Sequence, residues 1–176
     1  LFLGDQPGAV GVVSVLGAIV GALFLVWTGM ASGRVIAGSV LGLIGMWPKS
    51  RWLGPNMLRL PEAAARRGEV ALTFDDGPDP DITPQVLELL DHHQARASFF
   101  VIGERAAAHP EIVREIVRRG HSVENHSLHH SGFFGFFGLR ALKREVAAAQ
   151  DTVAGITGRA PAFFRSPMGI RNPMLD

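Results

Sequence analysis

Glu69-Val-Ala-Leu-Thr-Phe74 runs directly into Asp75-Asp76-Gly77-Pro78-Asp79-Pro80. The first six residues are a short, β-rich apolar run, and the next six are dense in turn chemistry. Thr83-Pro84 then opens a helix to about Gln94, with Thr83 expected as N-cap and proline at the first helical position. Val86, Leu87, Leu89 and Leu90 fit its buried face. Ala97-Ser-Phe-Phe-Val-Ile102 reads as a second strand, closed by Gly103. Ala108-His109-Pro110 leads into a helix to Arg119, with Ile112, Val113, Ile116 and Val117 at helical spacing and Gly120 at its end. His121 to Asn125 reads as a third strand, and Ser131 to Gly138 as a loop of glycine and phenylalanine. Leu139 to Ile156 follows as a long helix, and Ala162-Phe-Phe-Arg165 as a fourth strand. Strand and helix in alternation predict an α/β fold, either a parallel sheet or a (β/α) barrel. In both, reactive residues gather where strands end.

Three polar clusters fall at such ends: Asp75/Asp76, His126/His130 and Arg165. Adjacent carboxylates repel unless a cation lies near them. On a strand, successive side chains point apart, so one carboxylate can bind a metal while the other handles protons. His126 and His130 are four residues apart, a spacing that on a helical turn places both imidazoles on one face. Two histidines and an aspartate make a three-ligand site with positions left for water and substrate, the pattern of a catalytic metal. Each signal is weak alone. A His-x-x-x-His pair is more often two surface histidines, Asp-Asp-Gly-Pro is more often a turn, and Arg165 has an ordinary ion-pairing reading. His129 adjoins His130, and either can serve as the ligand on spacing alone. His92, His93, His109 and His121 read as structural. Only the joint occurrence, in order and at strand ends, turns the odds toward a site.

Around this core the charge is very uneven. From Leu1 to Trp47 the only charged residues are Asp5 and Arg34, and all seven histidines lie beyond. Gly8 to Met30 is an uncharged run of 23 residues. As a helix it reaches about 34 Å, enough to cross a bilayer core. A signal peptide is the rival reading, but its apolar stretch is shorter and follows basic residues. Val35 to Trp47 is a second apolar run, and Gly17/Gly21 and Gly38/Gly42 each give a close-packing GxxxG spacing. A helical hairpin and a single span with a re-entrant turn both fit. Residues 1–47 are therefore expected as membrane segment, 48–68 as linker and 69–176 as the α/β domain. Lys49, Arg51 and Arg59 favour a cytoplasmic start for that domain, though the side stays undecided. The net charge of +1 argues against nucleic acid as a partner, and the absence of cysteine excludes disulfides, thiolate metal sites and a cysteine nucleophile. The chain starts at Leu1 rather than Met and stops just after an apolar strand, the pattern expected of a piece of a longer protein.

Thr73-Phe-Asp-Asp-Gly-Pro78, Asn125-His-Ser-Leu-His-His130 and Phe164-Arg-Ser-Pro-Met-Gly169 resemble the first three motifs of the polysaccharide deacetylases, the NodB-homology domains of carbohydrate esterase family four. The resemblance covers about Glu69 to Gly169, roughly the first half of such a domain. It implies a distorted (β/α) barrel and one divalent metal ion, usually zinc and sometimes cobalt or another metal. It makes Asp75 the general base, Asp76, His126 and His130 the ligands, and Arg165 the residue that orients Asp75. Ser127 is expected to support the loop, and a backbone N–H near Met168 to stabilise the oxyanion. Met168 stands where the family usually has tyrosine or phenylalanine, and Ser131 replaces a frequent proline. The fourth and fifth motifs, with the histidine that acts as general acid, have no counterpart here.

The resemblance implies hydrolysis of an N-acyl group on a sugar of a glycan. A deacylase or deformylase of a lipid-linked amino sugar is the alternative within the enzymes, and the apolar front suits a lipid-anchored substrate. A non-catalytic carbohydrate-binding barrel is the alternative outside them. It has no need of a base with its orienting arginine. Cell membrane is the expected location.

Overall fold

The structure, a computed structural model, describes residues 59–170 and 172, together with residues 20, 23–29, 32–34 and 38. Two compact units divide the chain, Leu1–Ile44 and Gly45–Asp176. In the first, residues 23–27 are helical, and the Thr28 hydroxyl donates to the Phe24 carbonyl at 2.9 Å. Among the described residues no helix is long and apolar enough to cross a membrane. Most of the expected spans, Gly8 to Met30 and Val35 to Trp47, lie outside the described residues.

The second unit is built on three parallel strands in the order β1 (Leu72–Gly77), β2 (Ala97–Val101), β3 (Ser122–Asn125). Helix α1 (Glu62–Arg66) precedes them, and α2 (Ile82–His92) joins β1 to β2. Two helices, α3 (Gly103–Ala108) and α4 (Pro110–Arg118), join β2 to β3, and α5 (Leu139–Thr157) follows. The central strand β2 is buried nearly throughout, as expected for a strand covered on both faces. Its Phe99 and Val101 form the core with Leu87 and Leu90 of α2, Val113 and Ile116 of α4, and Val153 of α5. Each such side chain, taken from water, contributes roughly 1.5–3 kcal/mol.

Several expectations change on contact with the fold. Thr83 lies inside the first turn of α2 instead of capping it. The cap role falls to Asp79, whose carboxylate accepts from the N–H groups of Asp81 at 2.9 Å and Ile82 at 2.8 Å, while the Thr83 hydroxyl accepts from the Asp79 N–H. Those backbone N–H groups hold the Asp79 carboxyl below its usual range. Leu89 is exposed, since it lies far round the helix from Leu87 and Leu90. Gly103 opens α3 rather than closing a strand. A Cβ there would lie 3.1 Å from Ala149 Cα, so glycine lets α3 press against α5. The expected fourth strand is a single bridge, Phe164 beside Asn125. Two of its N–H groups are drawn elsewhere, since the buried Glu124 carboxylate accepts from Ala162 and Phe163, both at 2.8 Å, and only the Arg165 N–H reaches the Asn125 carbonyl.

Candidate metal centre

The site forms where β1 and β3 end. β1 bulges between Asp75 and Gly77, and Asp76 at the bulge has a left-handed backbone, φ 66°. A bulge of this kind re-aims a side chain. Here it separates two adjacent carboxylates: Asp75 meets Arg165 at 2.5 Å, and Asp76 Oδ1 lies 3.2 Å from Nε2 of both His126 and His130. These three donor atoms lie within 4.8 Å of one another.

The histidines sit on a tight loop rather than a helical turn. Ser127 and His130 both have left-handed backbones, φ 67° and 51°. The loop is held from several sides. Its N–H of Ser127 goes to Asn125 Oδ1 at 2.9 Å, and the N–H of His130 to the Ser127 hydroxyl at 3.0 Å. The N–H groups of Leu128 and His129 donate to the Glu145 carboxylate on α5. The first N–H groups of α3, at Gly103 and Glu104, take the carbonyls of Ser127 and Leu128. Asn125, fully buried, donates to the Val146 carbonyl and to Gln150. His126 is buried, and its Nδ1 lies 2.8 Å from the Arg165 carbonyl. A carbonyl only accepts, so Nδ1 donates to it, and Nε2 is the ring nitrogen left facing Asp76 and able to ligate a metal.

The donor set fits a divalent metal. Four-coordinate zinc with bonds near 2.0–2.1 Å places its ligand atoms about 3.3 Å apart, close to the observed 3.2 Å. One aspartate and two imidazoles suit zinc or cobalt. The Asp76 side chain is 57% exposed, so the cluster faces solvent on one side. A cleft of about 680 Å³ opens there, lined by Asp76, Pro78, Arg105, His109, His129 and His130 among others.

Arg165 does more than pair with Asp75. Its guanidinium also donates to the Thr73 hydroxyl at 3.0 Å and lies 4.0 Å above the Phe100 ring, so it is held on three sides. Met168 forms a sharp left-handed turn, φ 55°, within Pro167–Gly169, with its side chain exposed. Every position singled out for the site thus lies at one edge of the sheet or on the turn beside it. His129 is turned away to Glu104 at 3.0 Å, which raises its pKa, so it is not part of the cluster. Arg105, which nothing in the sequence marked, donates to the Asp76 carbonyl at 2.8 Å. Glu145 and Phe100 likewise gain their roles only through long-range contacts.

Fold and cluster together define an α/β protein with a candidate single-metal site at the strand ends. Residues 62–175 match the polysaccharide deacetylase family, and the chain belongs to it. It is 37% identical over 125 residues to a peptidoglycan-N-acetylglucosamine deacetylase of Bacillus cereus, covering 71% of this chain and 45% of that protein. It is 38% identical over 112 residues to a chitooligosaccharide deacetylase of Sinorhizobium fredii, covering 63% of this chain and 52% of that one. A family 4 acetyl xylan esterase from Clostridium thermocellum, solved with a cobalt ion, superposes with a TM-score of 0.57 at 36% identity, over 60% of this chain and 51% of that one. The chain spans about half the length of these relatives.

Proposed function

We infer that this chain carries the reactive centre of a glycan deacetylase. In the full-length protein this centre serves hydrolysis of the N-acetyl group of an amino sugar to acetate and a free amine, with one zinc or cobalt ion held by Asp76, His126 and His130 and the proton for the leaving amine supplied from outside the three motifs present here. The observation that carries this reading is the division of the carboxylate pair: Asp76 faces two imidazoles while Asp75 is gripped by Arg165. When bound, such an ion would supply Lewis acidity and lower the pKa of a water near it toward neutral pH. Asp75 takes the proton of the attacking water, on the carboxylate oxygen opposite the one that Arg165 holds. Arg165, fixed by Thr73 and Phe100, keeps that carboxylate aimed. The backbone N–H at Met168 donates to the developing oxyanion, a contact of about 3 kcal/mol in acyl transfer. The amino-sugar deacetylases among its relatives support the substrate class. The uncharged run Gly8 to Met30 supports a tether to the cell membrane through residues 1–47.

The test uses the full-length protein, wild type beside Asp75→Ala and His126→Ala, with N-acetylated chito-oligosaccharide as substrate. Wild type binds one metal ion and releases amine. His126→Ala loses the metal, and Asp75→Ala keeps it but releases no amine. A wild type that binds no metal ends the reading. Metal binding with acetate released only from O-acetylated xylan replaces the amide with an ester.

A further inference from the structure

Phe133-Phe-Gly-Phe-Phe137 splits into two pairs of rings. Successive tight turns, Phe136 N–H to the Phe133 carbonyl and Phe137 N–H to the Phe134 carbonyl, place residues three apart on one side. Phe134 and Phe137 face inward, 5.9 Å apart, and Phe134 stacks on Phe164 at 5.7 Å. The buried Asn172 amide donates to the carbonyls of both inward residues at 2.9 Å. The outward pair is the opposite case: Phe133 is 73% exposed and Phe136 74%, with Leu139 also exposed at the start of α5. A rigid base thus displays two aromatic rings and a leucine to the outside. That arrangement is unlike a scattered surface apolar residue.

Three cations follow the patch on α5, with the exposed acid Asp151 two turns beyond them. Arg140, Lys143 and Arg144 are exposed, and Lys143 lies one turn along α5 from Leu139, on the same face. The neighbouring acid, Glu145, is turned inward to the backbone of Leu128 and His129. Gly132, Gly135 and Gly138 interleave the rings and bring no polar side chain to the patch. The hydroxyl nearest the rings, Ser131, is taken up by the Phe133 N–H at 3.2 Å, and the other polar groups that follow the rings on α5 are the three cations. Aromatic rings that enter the headgroup region, with cations behind them, fit an anionic bilayer surface.

We propose that Phe133, Phe136 and Leu139, with Arg140, Lys143 and Arg144, form a docking face for an anionic lipid bilayer. The face is separate from any anchor in residues 1–47 and from the deacetylase reading, and its test reads contact at the face itself. The rings enter the interface, and each cation raises partition to an anionic surface about fivefold. The face begins three residues after His130, so docking holds the metal cluster near the membrane plane.

The chain has no cysteine, so one introduced thiol takes one label. The full chain carries an environment-sensitive fluorophore at Phe133→Cys or, as control, at the exposed Glu88→Cys on α2. Each is reconstituted into phosphatidylcholine vesicles with or without phosphatidylglycerol, containing spin-labelled lipid as quencher. The expected result is strong quenching at 133 in anionic vesicles only, reduced by salt, with none at 88. The variant Arg140→Gln/Lys143→Gln/Arg144→Gln lowers quenching at 133 to the level at 88. No quenching at 133 overturns the proposal. So does a label that responds to chito-oligosaccharide but not to lipid, which makes the patch a sugar platform. A label that responds to protein concentration without lipid makes it a contact between copies and overturns it equally.

Discussion

Left-handed backbone is unfavourable for residues with a side chain, and such residues cluster where function requires them. Among the described residues the non-glycine cases are Asp76, Gln94, Ser127, His130 and Met168, and all but Gln94 lie at the candidate site. Something must hold Asp76 in that state, and the visible clamp is Arg105, which grips its carbonyl. Arg105 is exposed, so Arg105→Ala is expected to leave the melting temperature of the metal-free protein nearly unchanged. Metal affinity is expected to fall about tenfold, the scale typical when a partner behind a ligand is lost. Competition against a chromogenic chelator measures it. Arg105→Lys, which keeps a donor, recovers part of the affinity. A general loss of folding lowers the metal-free melting temperature as well, and that result assigns Arg105 to stability alone.

His121 precedes β3 and shows how an element constrains a titratable group. Its Nδ1 accepts from the Ala97 N–H at 3.3 Å, and its ring packs edge-on against Phe99 at 5.6 Å. Nε2 is buried and has no partner among the described residues. Burial lowers the His121 pKa; Arg119 and Arg96 push the same way, and Asp91 opposes them. The neutral form is therefore the folded form. Its stabilisation is complete above the unfolded pKa of about 6.5 and is lost as pH falls below it. Thermal unfolding from pH 8 to pH 5 is expected to show a falling midpoint, with a shallower fall in His121→Gln. Equal slopes remove His121 from the acid response. At this scale much was legible in the sequence. Strands and helices with a regular apolar period, such as α4 and α5, stand near their expected limits. The short α3 was not legible, because Glu104-Arg-Ala-Ala-Ala108 carries no apolar period and Gly103 reads as a stop. The shape of the histidine loop, which spacing compares to a helical turn, was not legible for a different reason. Its shape is fixed by Asn125, Glu145 and the N–H groups of α3, contacts that span up to 25 residues and leave no local pattern.

Across the whole second unit, the candidate ligands join segments that the chain alone leaves far apart: the end of β1 and the loop after β3. A metal that binds only this assembled cluster stabilises the fold by mass action, about 2.7 kcal/mol at a hundred times its dissociation constant. For a protein of this size that is a rise in melting temperature of roughly 5–10 °C. The expected outcome is a melting temperature that climbs with added zinc and falls on chelation. His126→Ala and Asp76→Asn abolish the rise, since each removes a ligand. Asp75→Asn is expected to preserve it, because Asp75 is committed to Arg165 and not to the cluster. This contrast separates the two carboxylates without any substrate, so it holds whatever glycan the protein takes. Loss of the rise in Asp75→Asn equal to that in Asp76→Asn means that the adjacent aspartates share the ion, and the division of base from ligand fails.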